Sequence, residues 1–179
     1  TNHHVVEDCI SSGEVTIVDS NNKSSLGFIT AADATNDLAG IYTTAELPTL
    51  SFRGQTPAQG WWVGVLGSPR GLEGYLTTGL VSKVAADGGE IGISASLNPG
   101  NSGGPIFDRE GRVLAVATYK LLESESLGFA KSTPLLCQQI ISCSQANPIW
   151  STQLSPKVVT VVSESQVATT AIVKNATLP

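Results

Sequence analysis

The chain contains no methionine and little charge, and each shortage excludes something. A chain without methionine does not carry its own initiator, so we interpret the sequence as a processed product or an excerpt. Charged residues make up 14% of its 179 residues, and the net charge is −5. It therefore lacks the basic surface that binds a phosphate backbone, and we expect no nucleic-acid partner. The longest apolar runs are far shorter than a bilayer is thick, so we expect no membrane span.

Glycine, by contrast, is abundant. Eighteen glycines and the low charged fraction indicate an all-β protein with many tight turns. Strand-like segments recur at residues 14–18, 26–29, 38–42, 61–66, 80–84, 91–93, 105–107, 112–119 and 127–131. After them, Ser132 and Pro134 supply an N-cap and a first-turn proline for a short helix, which we expect to end near Ile141.

The segment Asn98–Pro105 reads Asn-Pro-Gly-Asn-Ser-Gly-Gly-Pro and places Ser102 among glycines. Glycine frees the backbone from steric restriction, so successive N–H groups can point into one concavity. A serine in such a loop gains an exposed hydroxyl beside donors that suit a tetrahedral oxyanion. Short motifs of this kind also occur as plain turns between strands, so a catalytic interpretation needs a base and an acid elsewhere in the chain.

Two further segments supply those groups. Residues 1–6 read Thr-Asn-His-His-Val-Val, and residues 33–39 read Asp-Ala-Thr-Asn-Asp-Leu-Ala. Together with the Ser102 segment, they resemble the three signature segments of trypsin-like (chymotrypsin-fold) serine proteases, in the order His, Asp, Ser. The wording is most similar to the bacterial high-temperature-requirement (HtrA/Deg) group, and the resemblance covers about residues 1–140. A G-x-S-x-G esterase would place the serine first and the histidine last, which conflicts with this order.

The resemblance implies a role for each matching residue. His4 matches the general base, Asp37 the acid that orients it, and Ser102 the nucleophile. A serine hydroxyl attacks well only when an imidazole takes its proton, and the acid fixes the tautomer of that imidazole. The backbone N–H groups of Gly100 and Ser102 match the oxyanion donors. No metal and no cofactor is implied.

His3 and Asp33 are of the same residue types as the matched base and acid and lie close to them in the sequence. His3 precedes His4, but adjacent strand residues point to opposite faces, so we expect His3 to take no part and the two histidines not to bind a metal. Asp33 lies four residues before Asp37, and we expect it to begin a turn.

The fold class that the resemblance implies is all-β, with two antiparallel β-barrel lobes and a short C-terminal helix. We predict a first, partial lobe at residues 1–55, a second lobe with its helix at 56–144, and a linker or tail at 145–179 that holds one candidate strand at 158–162. The family places strands before the catalytic histidine, and this chain lacks them. The first lobe is therefore expected to be incomplete, with edges that an oligomer or a partner would cover.

Substrate contacts follow from the same matching. Ser96 and Gly128 match the first specificity pocket, and residues 118–120, Thr118, Tyr119 and Lys120, match the segment that pairs with a substrate backbone. No charge lies in that pocket, so a buried Lys or Arg of the substrate would stay unpaired. We predict a serine endopeptidase that cleaves polypeptides after small or medium apolar residues, outside the cytoplasm. The alternative is a catalytically silent trypsin-like binding or scaffold module.

The three cysteines leave their pairing open. Cys137 and Cys143 flank the predicted helix and are close enough to bridge, which would leave Cys9 for a partner outside this sequence. An odd count suits a truncated disulfide framework. Three reduced, buried thiols are the alternative.

Overall fold

The computed structural model describes residues 1–69, 74–120, 127–141, 143, 160–163 and 166–170. Its elements, in chain order, are α1 (His3–Val6), a 3₁₀ turn (Glu7–Cys9), β1 (Glu14–Val18), β2 (Ser24–Asp33), β3 (Leu38–Thr43), β4 (Trp62–Gly67), β5 (Tyr75–Val84), β6 (Glu90–Ile93), β7 (Pro105–Phe107), β8 (Val113–Lys120), β9 (Gly128–Ser132), α2 (Thr133–Gln139), β10 (Thr160–Ser163) and β11 (Gln166–Thr170). The strands form two antiparallel systems, one of them a closed barrel. This confirms the all-β, trypsin-like fold class.

The closed barrel has the strand order β4-β5-β6-β9-β8-β7. Its interior is filled by β-branched and other aliphatic side chains that alternate along each strand, since successive strand residues face opposite sides. Close approach of the strands also depends on glycine, because a Cβ on Gly79 would lie 2.3 Å from the backbone nitrogen of Ala95. The fully buried members include Val63, Val65, Val81, Ile91, Ile93, Ile106 and Leu114.

The other system is a five-stranded sheet with the order β11-β10-β1-β2-β3. Val15 and Ile17 of β1 and Ile41 of β3 form its core, with Val6 of α1 packed against them. Strand β10 pairs with β1 in the register Ile17 to Val161. A C-terminal hairpin thus covers the edge of β1.

The strand predictions hold for every segment, with ends that shift by a few residues. One local expectation was wrong: His3 and His4 lie in the short helix α1, not in a strand. The stretch at 145–179, interpreted as a linker or tail, contains β10 and β11, and the candidate strand at 158–162 overlaps β10. Residues 144–159, 164–165 and 171–179 lie outside the described part. The division into three ranges, 1–55, 56–144 and 145–179, stays a prediction.

The two strand systems meet at a small apolar cluster. Leu38 of β3, Val116 of β8 and Leu136 of α2 are buried together. Helix α2 is capped as predicted, since the Ser132 hydroxyl accepts a hydrogen bond from the backbone N–H of Leu135 at 3.4 Å. It ends at Gln139, two residues before the position expected from the sequence.

The cysteine question has one answer in the structure. A disulfide joins Cys137 of α2 to Cys143. This is the pairing that the sequence left open beside a fully reduced alternative. Cys9 is half-buried at the end of the 3₁₀ turn.

Candidate active site

His4 and Asp37 form the tightest side-chain pair at the predicted site. The imidazole Nδ1 of His4 lies 2.7 Å from Oδ2 of Asp37, and the backbone N–H of His4 donates to Oδ1 at 2.9 Å. Helix α1 presents His4, and the turn between β2 and β3 presents Asp37. Asp37 has a backbone φ of +53°, in the left-handed region that non-glycine residues seldom adopt except Asn and Asp. The carboxylate of Asp37 therefore binds both the ring and the backbone of His4.

The electrostatics of the pair favour a charged carboxylate beside a basic imidazole. The hydrogen bond to Asp37 raises the pKa of His4, partial burial opposes that rise, and the charges of Asp37 and Glu7 add to it. For Asp37, burial alone would raise the pKa, but the hydrogen bonds from His4 outweigh it and hold the pKa below its ordinary value. A base whose pKa is raised in this way takes a proton more readily.

Ser102 lies on a loop, residues 98–104, that is held at both sides. The backbone N–H of Ser68 donates to the carbonyl of Gly100 at 3.0 Å. On the other side, the N–H of Gly103 donates to the carbonyl of Ala117 in β8 at 2.8 Å. Gly100 and Gly103 both have positive φ, +101° and +79°, which explains the need for glycine at these two places. The loop that carries Ser102 is thus anchored to the barrel.

The backbone N–H groups of Gly100 and Ser102 also belong to this loop. Within the part of the chain that the structure describes, the backbone N–H groups of Gly100 and Ser102 make no hydrogen bond. Both belong to residues that the sequence matched to oxyanion donors. A pair of unused backbone donors beside a serine hydroxyl is able to bind a developing oxyanion.

The hydroxyl of Ser102 does not point at the imidazole. Its Oγ donates to the backbone carbonyl of Thr118 at 3.0 Å, and among the described residues no hydrogen bond joins Ser102 to His4. Thr118 is the extra residue of a register shift between β8 and β9, where Ala117 and Tyr119 pair with consecutive residues. That bulge turns a backbone carbonyl of β8 toward the serine, where a regular strand would pair it with β9.

The predicted substrate-binding residues lie along the barrel strands. Ser96 is exposed, and its carbonyl accepts a hydrogen bond from the Thr77 hydroxyl at 3.0 Å. Gly128 is buried, and a Cβ there would lie 2.7 Å from the Leu97 side chain, so Leu97 packs over it. Tyr119 and Lys120 belong to β8, but their side chains lie outside the described part. The structure brings the backbone of this segment, though not Ser96, into hydrogen-bonding contact with Ser102.

The two competing residues have other surroundings. The carboxylate of Asp33 accepts from the backbone N–H groups of Thr35 and Asn36, both at 3.0 Å, which is the turn predicted from the sequence. The Asn36 side chain adds a bond of 2.6 Å and holds the pKa of Asp33 below its ordinary value. Among the described residues, the side chain of His3 makes no hydrogen bond, and His3 lies in a helix and not in the expected strand.

Asn2 is a residue that sequence reasoning missed as a separate part of the site. It is fully buried, and its amide nitrogen donates to the backbone carbonyl of Asp37 at 2.8 Å and to the hydroxyl of Thr118 at 3.3 Å. Asn2 stands inside the Thr-Asn-His-His motif, which is a signal in the sequence, but the motif does not reveal a contact with β8.

Two general properties bear on the kind of site. Within the described ranges, no group of three or more His, Cys, Asp or Glu side chains is arranged to hold a metal ion. No helix in the described part is long and apolar enough to cross a membrane.

A cavity of about 320 Å³ opens elsewhere on the barrel, lined by residues such as Trp62, Leu66 and Phe107, and includes none of the predicted site residues.

Comparison with known sequences gives the same assignment. A family model described as the trypsin-like peptidase domain matches residues 1–116. A Synechocystis protein named as a serine protease, HhoB, is 33% identical over 142 residues, which is 73% of this chain and 33% of the relative. A Chlamydia trachomatis protein named as a DegP-like periplasmic serine endoprotease is 35% identical over 127 residues, which is 66% of this chain and 25% of the relative. The chain thus spans a quarter to a third of these relatives' lengths.

Solved structures agree with the sequence comparison. The serine endoprotease from Yersinia pestis superposes with a TM-score of 0.69 at 28% identity, covering 77% of this chain and 50% of that one. The HtrA-type protease AlgW, solved with a decapeptide, gives 0.65 at 24% identity over 75% of this chain and 44% of that one, which bears on the fold alone. The predicted resemblance to the HtrA group is confirmed, and the chain belongs to the trypsin-like peptidase domain family.

Proposed function

We propose that the protein is a serine endopeptidase, in which Ser102 is the nucleophile, His4 the general base and Asp37 the acid that orients it. The observation that carries the proposal is the 2.7 Å contact between His4 Nδ1 and Asp37 Oδ2. That contact fixes the proton on Nδ1 and leaves Nε2 free to accept the proton of a serine hydroxyl. The relatives named as serine proteases support it, and so does the trypsin-like peptidase family model, which matches residues 1–116 and so includes all three residues.

The reaction begins with a rotation of Ser102. Its hydroxyl has to leave the carbonyl of Thr118, which it contacts at 3.0 Å, and donate instead to Nε2 of His4. As Oγ attacks the scissile carbonyl, the proton passes to His4, and the oxyanion takes the two free N–H groups of Gly100 and Ser102. His4 then returns the proton to the leaving amine, and water hydrolyses the acyl-enzyme by the same steps. This acyl transfer needs no metal and no cofactor.

The substrate is a polypeptide held as an added strand along β8. The backbone of Thr118, Tyr119 and Lys120 is the pairing segment, and Ser96 and Gly128 contribute to the pocket for the residue before the scissile bond. The Leu97 side chain packs against Gly128, so the group that borders this position is apolar. We therefore propose cleavage after small or medium apolar residues. A peptide library in which Arg or Lys is preferred at that position would contradict this.

Location and assembly are proposed from the relatives and from the open edges of the first sheet. The Chlamydia relative is named as periplasmic, which favours an extracytoplasmic site of action. A disulfide between Cys137 and Cys143 suits an oxidising compartment. Strand β3 ends the five-stranded sheet on one side, and an oligomer or a partner would cover what the sheet leaves open.

The test is covalent labelling with a phosphonyl fluoride, read as a mass shift on the peptide that contains Ser102. Labelling of one serine per chain, lost in Ser102→Ala and retained in the matched control Ser94→Ala, is the expected result. Ser94 is exposed on the same barrel, and its hydroxyl binds the Leu80 backbone. Labelling that survives Ser102→Ala would reject the assignment of the nucleophile.

The second candidate is a silent binding or scaffold module. It is favoured by one observation, the hydroxyl of Ser102 bound to a backbone carbonyl and not to His4. This function predicts a folded chain that phosphonyl fluorides do not label even at a pH well above the pKa of His4, where the imidazole is neutral. The same labelling experiment therefore separates the two functions.

A further inference from the structure

The side chain of Asn2 lies where the two strand systems meet the predicted active site. It has no exposed surface. Its single amide nitrogen makes two bonds, to the carbonyl of Asp37 at 2.8 Å and to the hydroxyl of Thr118 at 3.3 Å. Asp37 belongs to the turn that ends the first sheet's β2, and Thr118 belongs to β8 of the barrel. Asn2 therefore joins one strand system to the other.

Both residues that Asn2 holds are themselves bonded to catalytic groups. The carboxylate of Asp37 holds His4 through two hydrogen bonds. The backbone carbonyl of Thr118 accepts the hydroxyl of Ser102. A path of hydrogen bonds thus runs from Ser102 through Thr118, Asn2 and Asp37 to His4, while no direct bond among the described residues joins its two ends.

We propose that Asn2 is a positioning residue, which sets the separation between the His4–Asp37 pair and the Ser102 hydroxyl by tying Asp37 to Thr118. The inference rests on the proposed serine peptidase function of this site. Asn2 touches neither substrate nor the reacting atoms. It acts through the backbone of Asp37 and the side chain of Thr118.

The chemistry of asparagine fits this task. An amide nitrogen carries two N–H groups, so one atom can serve two acceptors that diverge, which neither a hydroxyl nor a carboxylate can do. Among the described residues, the amide oxygen of Asn2 is buried with no hydrogen-bond partner. A buried, unpaired amide oxygen is unfavourable for folding. The unpaired oxygen disfavours an asparagine at this position, and the two hydrogen bonds of its nitrogen are what favours it.

Distance argues in the same direction. A nucleophile and its base react only when their atoms approach to hydrogen-bond distance, and a displacement of about 1 Å can lower the rate by about 10²-fold. His4 and Ser102 are carried by different strand systems, so any slip between the two changes that distance. A fixed link beside both residues limits the slip.

The experiment compares three variants of the complete protein. Asn2→Ala removes both bonds, and Asn2→Asp keeps the shape but replaces the donor by a carboxylate. Asn36→Ala is the matched control, since Asn36 is next to Asp37 in sequence, its side chain binds Asp33 at 2.6 Å, and no hydrogen bond among the described residues joins it to β8. Folding is checked by thermal unfolding. If Asn2→Ala does not fold, Thr118→Val removes the same tie from the other side.

Two readouts are measured on each variant. The first is the rate at which a phosphonyl fluoride labels Ser102. The second is the titration of His4 by proton NMR, with a His3→Gln variant to assign the other histidine signal. Asp37 and Glu7 are the carboxylates that act on His4, and both remain in every variant.

For Asn2→Ala we expect labelling to slow by about 10- to 100-fold and the pKa of His4 to fall as Asp37 loosens. For Asn2→Asp we expect slow labelling with a higher pKa of His4, because a negative charge is added nearby. Asn36→Ala should change neither. The inference is overturned if folded Asn2→Ala labels within about twofold of Asn36→Ala and leaves the His4 titration unchanged.

The failure of the proposed function looks different. If the unaltered protein is not labelled but the His4 titration moves as expected in both Asn2 variants, Asn2 positions the pair in a protein that is not a peptidase. If neither readout moves and nothing is labelled, both proposals are wrong.

Discussion

Replacing Asp37 with asparagine tests the orientation of His4 with little change in shape. The φ of +53° at this position suits Asn as well as Asp, so the turn keeps its backbone. The remaining side-chain oxygen can still accept from the backbone N–H of His4, now at 2.9 Å. Only the second contact, 2.7 Å to Nδ1, changes from an acceptor to an amide donor. The variant should therefore fold.

The effect on catalysis should nonetheless be large. An amide N–H facing Nδ1 favours the tautomer that carries its proton on Nε2, which is then unable to take the proton of Ser102. In well-characterised Ser-His-Asp proteases, the corresponding change lowers kcat by about 10⁴-fold. At about 1.36 kcal/mol per factor of ten, this corresponds to a barrier higher by about 5.4 kcal/mol.

The assay is the hydrolysis of an apolar peptide substrate, with the phosphonyl fluoride labelling rate measured in parallel. The control is Asp33→Asn, whose carboxylate binds the backbone of Thr35 and Asn36 and not a histidine. We expect the control to keep nearly full activity. If Asp37→Asn keeps more than a tenth of the activity, or if Asp33→Asn loses as much, then the acid has been assigned to the wrong residue.

Three further predictions concern pH, the loop and the disulfide. Because the pKa of His4 is raised above its ordinary 6.5, the acid limb of kcat/KM should have its midpoint above that value, with activity lost as the pH falls through it; a midpoint below 6.5 would contradict the geometry. Gly100→Ala places a Cβ 2.3 Å from a carbonyl oxygen at a φ of +101°, and should lower kcat by about 10²- to 10³-fold, whereas Gly54→Ala, with open space around it, should not. Cys137→Ser opens a loop with a separation of 6 residues. It should lower the free energy of unfolding by about 2 kcal/mol in a denaturant titration, and an unchanged midpoint would show that the link to Cys143 does not stabilise the fold.

The sequence predicted the strands because their signals are local. Alternation in Glu14–Val18, the turn residues after it and the N-cap at Ser132 depend on neighbours within a few residues, and each recurs in the structure. The helix at His3–Val6 was missed since four residues are too few for a helical period to show. Pairing of β10 with β1 could not be read either, because it joins residues about 145 positions apart and no local pattern records a register across that distance.

The features of the candidate site show the same difference between local and long-range information. A motif specifies which residue types stand in a loop and how its backbone turns, and this is why Asp37, Gly100 and Ser102 could be named from the sequence alone. It does not specify where a hydroxyl points, since that depends on what another strand places beside it. The bulge at Thr118 sets that direction here, by offering a carbonyl 3.0 Å from the Ser102 hydroxyl. The structure therefore orients the predicted base through Asp37 but turns the predicted nucleophile aside, so the first step of the proposed mechanism is a rotation about one side-chain bond. A bound substrate strand on β8 would compete for the same edge of the sheet, which makes substrate binding the event best placed to release Ser102 toward His4.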